Sequence, residues 1–307
     1  MAGTSRFPKD RGLSARMGFT VFLIGLLYVA FVAALVAVGV QTVLILVIAI
    51  GIGLAQFWFS DRIALFSMGG HLVSEQEAPG LHAVVDRLCA LADMPKPKVA
   101  IADVDLPNAF ATGRSPSSSV VCVTTGLLRR LDEPEVEAVL SHELSHVAHR
   151  DVAVMTIASF LGIAAGLLTR MAFYAGMFGG GYGRDRRQAE QFAMFEIGVI
   201  LISMVVYAIS FLLTRALSRY RELAADRSGA ILIGKPMLLA SALTKVTGEM
   251  GRIPTADLRK AEHFNAFYFA PALTSGLSVS TLFATHPSLE VRLAQLERLE
   301  GELGRRG

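Results

Sequence analysis

The sequence predicts a mainly helical α+β protein that is integral to a membrane, and three observations lead to this prediction. Apolar residues make up 53% of the 307 residues, and the mean hydropathy of +0.50 lies above the usual range of soluble proteins. Four apolar runs have about the length that a membrane-spanning helix needs. Between and after these runs the chain returns to amphipathic helices and short strand patterns. We therefore expect about four transmembrane helices and one aqueous domain.

The first two apolar runs, residues 17–38 and 42–59, predict a helical hairpin behind a basic leader. A secretory signal peptide would have a shorter apolar region that ends at a cleavage site. Lysine and arginine cluster before the first run and recur at Arg62 after the second, whereas the connecting turn is uncharged. The positive-inside rule therefore places both ends of this hairpin in the cytoplasm.

Residues 70–150 predict the first part of the aqueous domain. A helix is expected over 79–92 because its apolar residues recur on one stripe, which consists of Leu81, Val84, Val85, Leu88 and Leu91. The segments KPKVAIAD and SSSVVCVTTG predict strands, since they contain valine and isoleucine and are bounded by proline, serine and glycine. A second helix is expected in DEPEVEAVLSHELSHVAHR, with Asp132 or a neighbour as the N-cap.

Residues 152–176 and 192–214 predict a second hairpin around a glycine-rich, charged loop, GMFGGGYGRDRRQAEQ. Arginines in this loop oppose the positive-inside rule if the loop is external, and Glu196 lies inside the fourth run. An interfacial or helix-packed position for these two runs is therefore the alternative. The predicted division of the chain is 1–62 for the leader and first hairpin, 63–151 and 215–307 for the two parts of the catalytic domain, and 152–214 for the second hairpin.

The C-terminal segment HPSLEVRLAQLERLEGELG predicts a last helix with Pro287 near its start. Its apolar stripe consists of Leu289, Leu293, Leu296 and Leu299. The net charge is only +3, and basic residues are not interleaved with aromatics, so we expect no nucleic-acid partner. Cys89 and Cys122 form no CxxC pair, so small buried thiols in a reducing compartment are expected rather than catalytic groups.

The stretch SHELSHVAHR contains the strongest chemical motif, HExxH. On a helix, His142 and His146 lie one turn apart on the same face, so their rings can converge on one tetrahedral zinc ion. Glu143 lies beside that position, where a carboxylate can act as general base towards a water molecule. His149 is about 10 Å along the axis from His142, too far to join unless the helix breaks, and no glycine follows to break it. The alternative is a chance match on a polar helix surface.

A third metal ligand is needed, and Glu222 in SRYRELAAD is the best candidate. Asp226 lies one turn later, where it can accept the second ring N–H of a ligating histidine. The alternative is that Glu222 pairs with Arg219 or Arg221 on a helix next to the membrane. The second hairpin explains the 76-residue gap between His146 and Glu222, and it predicts an active site that faces the bilayer.

Together these residues resemble the HtpX-type membrane zinc metalloproteases, which are related to the CAAX prenyl endopeptidases. The resemblance covers nearly the whole chain. It depends on the segments NAFATG, TTGLL, LSHELSHVAHRD, SRYRELAAD and THPSLEVR. It implies a zincin-like metalloprotease domain on the cytosolic side, with one zinc ion per chain.

By this resemblance, His142, His146 and Glu222 are zinc ligands and Glu143 is the general base. The residues implied to support the site are His286, at the reaction centre, and Asp226 and Arg292, behind the ligands. A histidine or arginine beside the metal can hydrogen-bond the oxyanion of a tetrahedral intermediate. A capping or core position is the alternative for His286.

The segment NAFATG and the strand SVVCVTTG resemble the family's cleft wall, where an edge strand binds substrate as an added strand. Asn108, Ala109 and Phe110 are therefore candidate substrate-binding residues. The alternative for Asn108 is a turn position after Pro107.

The leading hypothesis is a zinc endopeptidase of the bacterial cytoplasmic (inner) membrane, multi-pass, that removes misfolded or surplus membrane proteins in quality control and stress response. Its partners would be these unfolded substrates and the lipid bilayer. The alternatives are a prenyl-peptide endopeptidase and a non-catalytic membrane scaffold that keeps the fold. The four expected spans argue against the first, and an intact general base argues against the second.

Overall fold

A computed structural model describes residues 11–37, 57–179, 186–250 and 286–305, with a few isolated positions between 47 and 55. Its helices are α1 (Arg11–Ala37), α2 (Ser60–Met68), α3 (Pro79–Ala92), α4 (Thr125–Arg130), α5 (Glu133–Ala148), α6 (Asp151–Gly179), α7 (Arg186–Ile233), α8 (Pro236–Met250) and α9 (Leu289–Gly304). Its strands are β1 (Gly70–Leu72), β2 (Lys98–Ala102), β3 (Ala109–Ser115) and β4 (Ser118–Thr124). The predicted mainly helical α+β class is confirmed.

The four strands form one small mixed sheet in the order β1-β2-β4-β3. β2 and β4 are parallel, with Ala100 opposite Cys122, whereas β1 and β3 each pair antiparallel with their neighbour. The two strands predicted from KPKVAIAD and SSSVVCVTTG, β2 and β4, are confirmed. β4 lies inside the sheet, however, so of the two segments expected to form the cleft wall only NAFATG, in β3, provides an edge strand.

The core around the sheet is built from α3, α5, α8 and α9. Leu88, Val121, Leu140 and Leu243 are all fully buried in one hydrophobic cluster. The predicted helix over 79–92 has those bounds in the structure. The last residue of its predicted apolar stripe is not buried, because Leu91 is 44% exposed.

Helix α5 begins as predicted and ends with a break that was not expected. Asp132 is the N-cap, and its backbone N–H donates to the Glu135 carboxylate. After Ala148 the helix stops at His149, and Arg150 adopts a left-handed conformation with φ of 57°. The expectation that the lack of a glycine keeps this helix intact is therefore wrong. Local hydrogen bonds from Arg150 N–H to Val147 and from Ala153 N–H to Arg150 stabilise the turn.

The apolar runs are helical where the structure describes them. The first run lies in α1 and the third in α6, whereas most of the second run lies outside the described residues. The fourth run lies in α7, a single helix of 48 residues that also contains the SRYRELAAD motif. By length and composition, Ser14–Ala37 and Ala193–Ile233 qualify as membrane spans. Of the predicted loop GMFGGGYGRDRRQAEQ, residues 176–179 are helical in α6 and residues 186–191 are helical in α7, whereas residues 180–185 lie outside the described residues.

The chain divides into two compact units. One comprises Met1–Arg16, Phe57–Ala153 and Ser218–Gly307, and the other comprises Met17–Gln56 and Val154–Leu217. The sheet and the HExxH helix belong to the first unit. The second unit has small apolar clusters inside, and large apolar side chains such as Phe22 and Val29 are more than 60% exposed there. Such apolar exposure is expected of helices that face lipid.

Candidate metal centre

Helices α5 and α7 bring three predicted ligands together. His142 and His146 lie one turn apart on α5, and their Nε2 atoms are 3.2 Å from each other. Glu222 on α7 places Oε2 at 3.7 Å from His142 Nε2 and Oε1 at 3.4 Å from His146 Nε2. One ligand atom from each residue lies within 4.8 Å of the others. The three side chains therefore converge on one point.

This donor set fits zinc. In a tetrahedral site with zinc–ligand distances near 2.0–2.1 Å, neighbouring ligand atoms lie about 3.3–3.4 Å apart. The separations among the two histidine nitrogens and the Glu222 oxygens, 3.2 to 3.7 Å, bracket that value. Two imidazoles and one carboxylate also leave a fourth position open for water or substrate, as catalytic zinc sites require.

The α5–α7 contact that aligns these ligands depends on a glycine. A Cβ atom added at Gly229 on α7 would lie 2.8 Å from the backbone nitrogen of His142 and 2.9 Å from its Cα. Ser141 donates its hydroxyl to the Gly229 carbonyl at 2.9 Å, which ties the two helices at the same level. Gly229 therefore allows the backbones to approach closely enough for Glu222 to reach the histidines.

His142 is supported by a buried ion pair. Its Nδ1 lies 2.9 Å from Asp226 Oδ1, and Arg292 of α9 donates two hydrogen bonds to the Asp226 carboxylate, at 2.6 and 2.7 Å. Asp226 is fully buried, and Arg292 is 1% exposed. The structure thus places both residues behind the first histidine, as the sequence predicts.

His146 has an equivalent pair that sequence reasoning missed. Its Nδ1 lies 2.5 Å from Asp151 Oδ2, and Arg221 Nη2 lies 2.9 Å from the same oxygen. The left-handed turn at Arg150 brings Asp151 back towards the end of α5. A helical extrapolation of LSHELSHVAHRD does not place Asp151 beside His146, so only the unforeseen break makes this contact.

Glu143 and His286 lie next to the three ligands. The Ala111 backbone N–H of edge strand β3 donates to Glu143 Oε2 at 3.0 Å, so this carboxylate contacts the edge strand of the sheet. His286 is 6% exposed, and its Nδ1 lies 2.9 Å from Glu222 Oε2. Both predicted catalytic residues are therefore within reach of the same centre.

Burial is the largest influence on the carboxyl groups of the centre, and it acts against their charged form. It raises the pKa of Glu143 above its usual range. For Asp151, Arg221 and His146 outweigh burial and lower the pKa to about 2. Asp151 is therefore a carboxylate at neutral pH.

With this geometry established, the comparison with known proteins identifies the family. Residues 75–300 match the model of Peptidase family M48. The chain belongs to this family. It is 61% identical over 300 residues to Protease HtpX homolog 1 of Streptomyces coelicolor, which covers 98% of this chain and 97% of that protein. It is 55% identical over 299 residues to Protease HtpX homolog of Moorella thermoacetica, covering 97% of each.

The fold is also similar to that in the crystal structure of S. mikatae Ste24p. The TM-score is 0.52 with 16% sequence identity, and the match covers 94% of this chain and 66% of that one. At this identity the likeness concerns the fold. The predicted resemblance to HtpX-type metalloproteases is confirmed, and the protein is an M48 zinc metallopeptidase whose His142, His146 and Glu222 are consistent with a zinc site.

In this M48 peptidase the candidate substrate residues lie deeper than the sequence suggests. Asn108, Ala109 and Phe110 are at most 3% exposed, and Asn108 exchanges hydrogen bonds with Thr124 of β4. Their role in substrate binding stays a prediction. The residue of β3 that contacts Glu143 is Ala111. It belongs to the NAFATG motif but was not among the predicted substrate-binding residues.

Proposed function

We propose that this M48 peptidase cleaves unfolded segments of misfolded or surplus membrane proteins, as a quality-control and stress-response enzyme. The observation that supports the substrate class most directly is edge strand β3. Among the described residues it has no strand partner on the side away from β4, and its Ala111 N–H points to the Glu143 carboxylate. A peptide added to such an edge is bound mainly through its backbone, so many unfolded sequences can fit.

We assign the chemistry to five side chains. Bound zinc would supply Lewis-acid activation of a water molecule and of the scissile carbonyl. His142, His146 and Glu222 would hold the ion, since one ligand atom of each lies within 4.8 Å of the others. Glu143 takes a proton from the attacking water and returns it to the leaving amine, a role that its raised pKa favours. His286, beside Glu222, is placed to hydrogen-bond the oxyanion that develops on the substrate.

We also propose that the enzyme is a multi-pass protein of the bacterial cytoplasmic membrane, with its catalytic unit in the cytosol. The two apolar helices long enough to span a bilayer support the membrane assignment. Basic residues before the first apolar run and at Arg62 support the orientation. Labelling of single engineered cysteines at position 9 and in the catalytic unit, with a membrane-impermeant reagent on intact cells, tests this orientation. Cysteines labelled without permeabilisation would contradict it.

The experiment that tests the chemistry uses full-length protein purified in detergent. Zinc content and cleavage of casein, an unfolded substrate, are measured for the wild type, Glu143→Gln and Glu222→Ala. We expect one zinc ion per wild-type chain and per Gln chain, less in the Ala variant, and cleavage by the wild type alone. The Gln variant should lose on the order of 10²- to 10⁴-fold in rate, the contribution typical of a general base. Full zinc in Glu222→Ala would place the third ligand elsewhere.

A matched pair of substrates tests the substrate class. One is a membrane protein with a folded cytosolic domain, and the other carries a destabilising substitution in that domain. Preferential cleavage of the destabilised form supports quality control. The prenyl-peptide alternative predicts instead that cleavage requires a lipidated cysteine, so the same peptide is compared with and without a prenyl group.

A further inference from the structure

Asp151 is a buried acid for which the proposed mechanism has no role. It is 3% exposed, although it begins helix α6, where an aspartate is commonly solvated. Instead of facing water, its Oδ2 lies 2.5 Å from His146 Nδ1 and 2.9 Å from Arg221 Nη2. A carboxylate buried between a histidine and an arginine needs a reason, because burial of charge is costly unless the geometry is good.

The backbone near Asp151 is bent in a way that brings this side chain to His146. Arg150 has φ of 57°, a conformation that residues other than glycine, asparagine and aspartate seldom adopt. An uninterrupted α-helix would place position 151 about 100° further round than position 150, and away from the face that His142 and His146 share. The left-handed turn ends α5 and returns the chain so that Asp151 meets the second ligand. Strained backbone of this kind is often found at functional sites.

The arrangement repeats the one behind the first ligand. His142 contacts Asp226, which is paired with Arg292; His146 contacts Asp151, which is paired with Arg221. In both cases the histidine Nδ1 faces the carboxylate, and the side chains of the acid and the arginine are at most 11% exposed. The aspartate and arginine come from different elements in the two His–Asp–Arg groups. They lie on α7 and α9 in the first group, and at the α5–α6 turn and on α7 in the second.

We propose that Asp151 and Arg221 are positioning residues for the metal centre, with Asp151 fixing the ring of His146 and Arg221 holding Asp151. The proposal depends on the zinc site of the proposed function. When Nδ1 of His146 donates its proton to Asp151, the tautomer is fixed and the lone pair of Nε2 is directed to the ion. Arg221 directly precedes Glu222 in the chain, so the same pair also fixes the third ligand relative to the second.

A purely structural clamp between the α5–α6 turn and α7 would predict a different outcome. Loss of a clamp lowers the stability of the protein with and without metal by similar amounts. Loss of a positioning group weakens metal binding beyond any change in the metal-free protein. The experiment therefore measures both quantities on the same variants.

Full-length protein in detergent is stripped of metal and titrated with zinc in competition with a chromophoric chelator. The variants are Asp151→Asn, Asp151→Glu, Arg221→Gln and the double variant Asp151→Asn/Arg221→Gln. The matched control is Glu135→Gln, which removes another buried, cation-paired carboxylate of α5 away from the ligands. The melting temperature of each metal-free protein is measured alongside.

We expect Asp151→Asn to weaken zinc binding by about 10- to 100-fold, the usual effect of removing such a partner from a ligating histidine. Asp151→Glu should recover part of this loss, and Glu135→Gln should bind zinc as the wild type does. Arg221→Gln should have a smaller effect. Because Arg221 acts through Asp151, the double variant should bind zinc no more weakly than Asp151→Asn alone.

Cobalt(II) provides a second readout that does not depend on stability. Its visible absorption reports the geometry of the ligands, and we expect a shifted spectrum in Asp151→Asn and an unchanged one in Glu135→Gln. Wild-type affinity together with a wild-type cobalt spectrum in Asp151→Asn would overturn the inference and leave the proposed function intact. Absence of zinc binding by the wild type would overturn both. Multiplicative losses in the double variant would show that Arg221 does not act through Asp151.

Discussion

A buried carboxylate lies near each end of helix α5, and the two carboxylates differ in the kind of side chains that surround them. Glu135, in the first turn, accepts hydrogen bonds from Ser241 Oγ at 2.7 Å, from Lys245 Nζ at 2.8 Å and from the Asp132 N–H at 3.0 Å. Glu222, which faces the last turns of α5, is surrounded by three histidines instead. The first group consists of donors that always carry a proton, so it is complete as it stands.

The second group contains the donor set of a metal site. A histidine nitrogen is either a donor or an acceptor, and two of these rings already turn Nδ1 towards aspartates. Their Nε2 atoms converge with the Glu222 carboxylate oxygens, and such convergence of ligand atoms is what a metal site requires. The comparison shows that a buried carboxylate is recognised as a metal ligand by the kind of partners it has. The following variants test this distinction, from the largest expected effect to the smallest.

The substitution Arg292→Met should have the largest effect, because it leaves Asp226 buried without its cationic partner. Breaking a buried ion pair in this way costs on the order of 3–5 kcal/mol. We expect a much lower melting temperature, and loss of zinc binding at the temperature of the wild-type assay. The control is Arg129→Met, which removes an arginine from the exposed Asp105 and should leave the melting temperature nearly unchanged. Equal effects of the two substitutions would mean that burial does not distinguish these ion pairs.

The substitution Gly229→Ala tests whether the metal side of α5 depends on close backbone packing. The added methyl group would lie 2.8 Å from the His142 nitrogen, so α7 must move away from α5. Such overpacking typically costs about 1–3 kcal/mol, and here it also displaces Glu222 from the histidines. We expect weaker zinc binding and slower casein cleavage. Gly248→Ala on α8 is the control, because nothing lies within 4 Å of its added methyl group; unimpaired cleavage by Gly229→Ala would refute the packing argument.

Local patterns in the sequence predicted the start of α5 well. Asp132 as N-cap and the bounds of α3 follow from hydrogen-bonding and periodicity rules that act over a few residues. The same holds for His142, Glu143 and His146, whose relative positions one helical turn fixes. Glu222 and Asp226 were found because their spacing repeats that turn on a second helix, and because His142 needs such a partner.

The parts that were missed depend on contacts between distant segments or on an uncommon backbone conformation. Asp151 reaches His146 only through the left-handed turn at Arg150, and no residue preference in HVAHRD indicates that turn. Ala111 became visible as a contact of Glu143 only when the sheet order showed β3 at its edge. The exposure of Leu91 likewise depends on where the other helices pack, which helical periodicity does not specify.

The substitution Glu135→Gln tests the other end of α5. Glutamine keeps the shape but cannot accept hydrogen bonds at both terminal atoms, so we expect a loss of about 1 kcal/mol in the free energy of unfolding. Zinc affinity should not change, because Glu135 does not contact the ligands. Unfolding by denaturant and zinc titration, performed on the same preparation, measure the two quantities. Weakened zinc binding in this variant would contradict the argument that Glu135 is structural and Glu222 is the metal ligand.

The pH dependence of that loss is the smallest effect and the sharpest test of its origin. Burial would raise the pKa of Glu135, but hydrogen bonds from Lys245, Ser241 and the Asp132 backbone lower it below 4.5 in the folded protein. A carboxyl group with a lowered pKa in the folded state stabilises the protein above its unfolded-state pKa, and this contribution is lost as the pH falls through the folded-state value.

The difference in unfolding free energy between wild type and Glu135→Gln should therefore be constant from pH 7 to about pH 5 and shrink below the unfolded-state pKa of about 4.3. Metal-free protein is used throughout, so that proton competition at the histidines does not contribute. Other groups that titrate in this range are common to both proteins and cancel in the difference. A gap that stays constant down to pH 3 would mean that Glu135 stabilises α5 through shape and neutral hydrogen bonds. In that case partner type alone, and not charge, would separate the structural carboxylate from the metal-binding one.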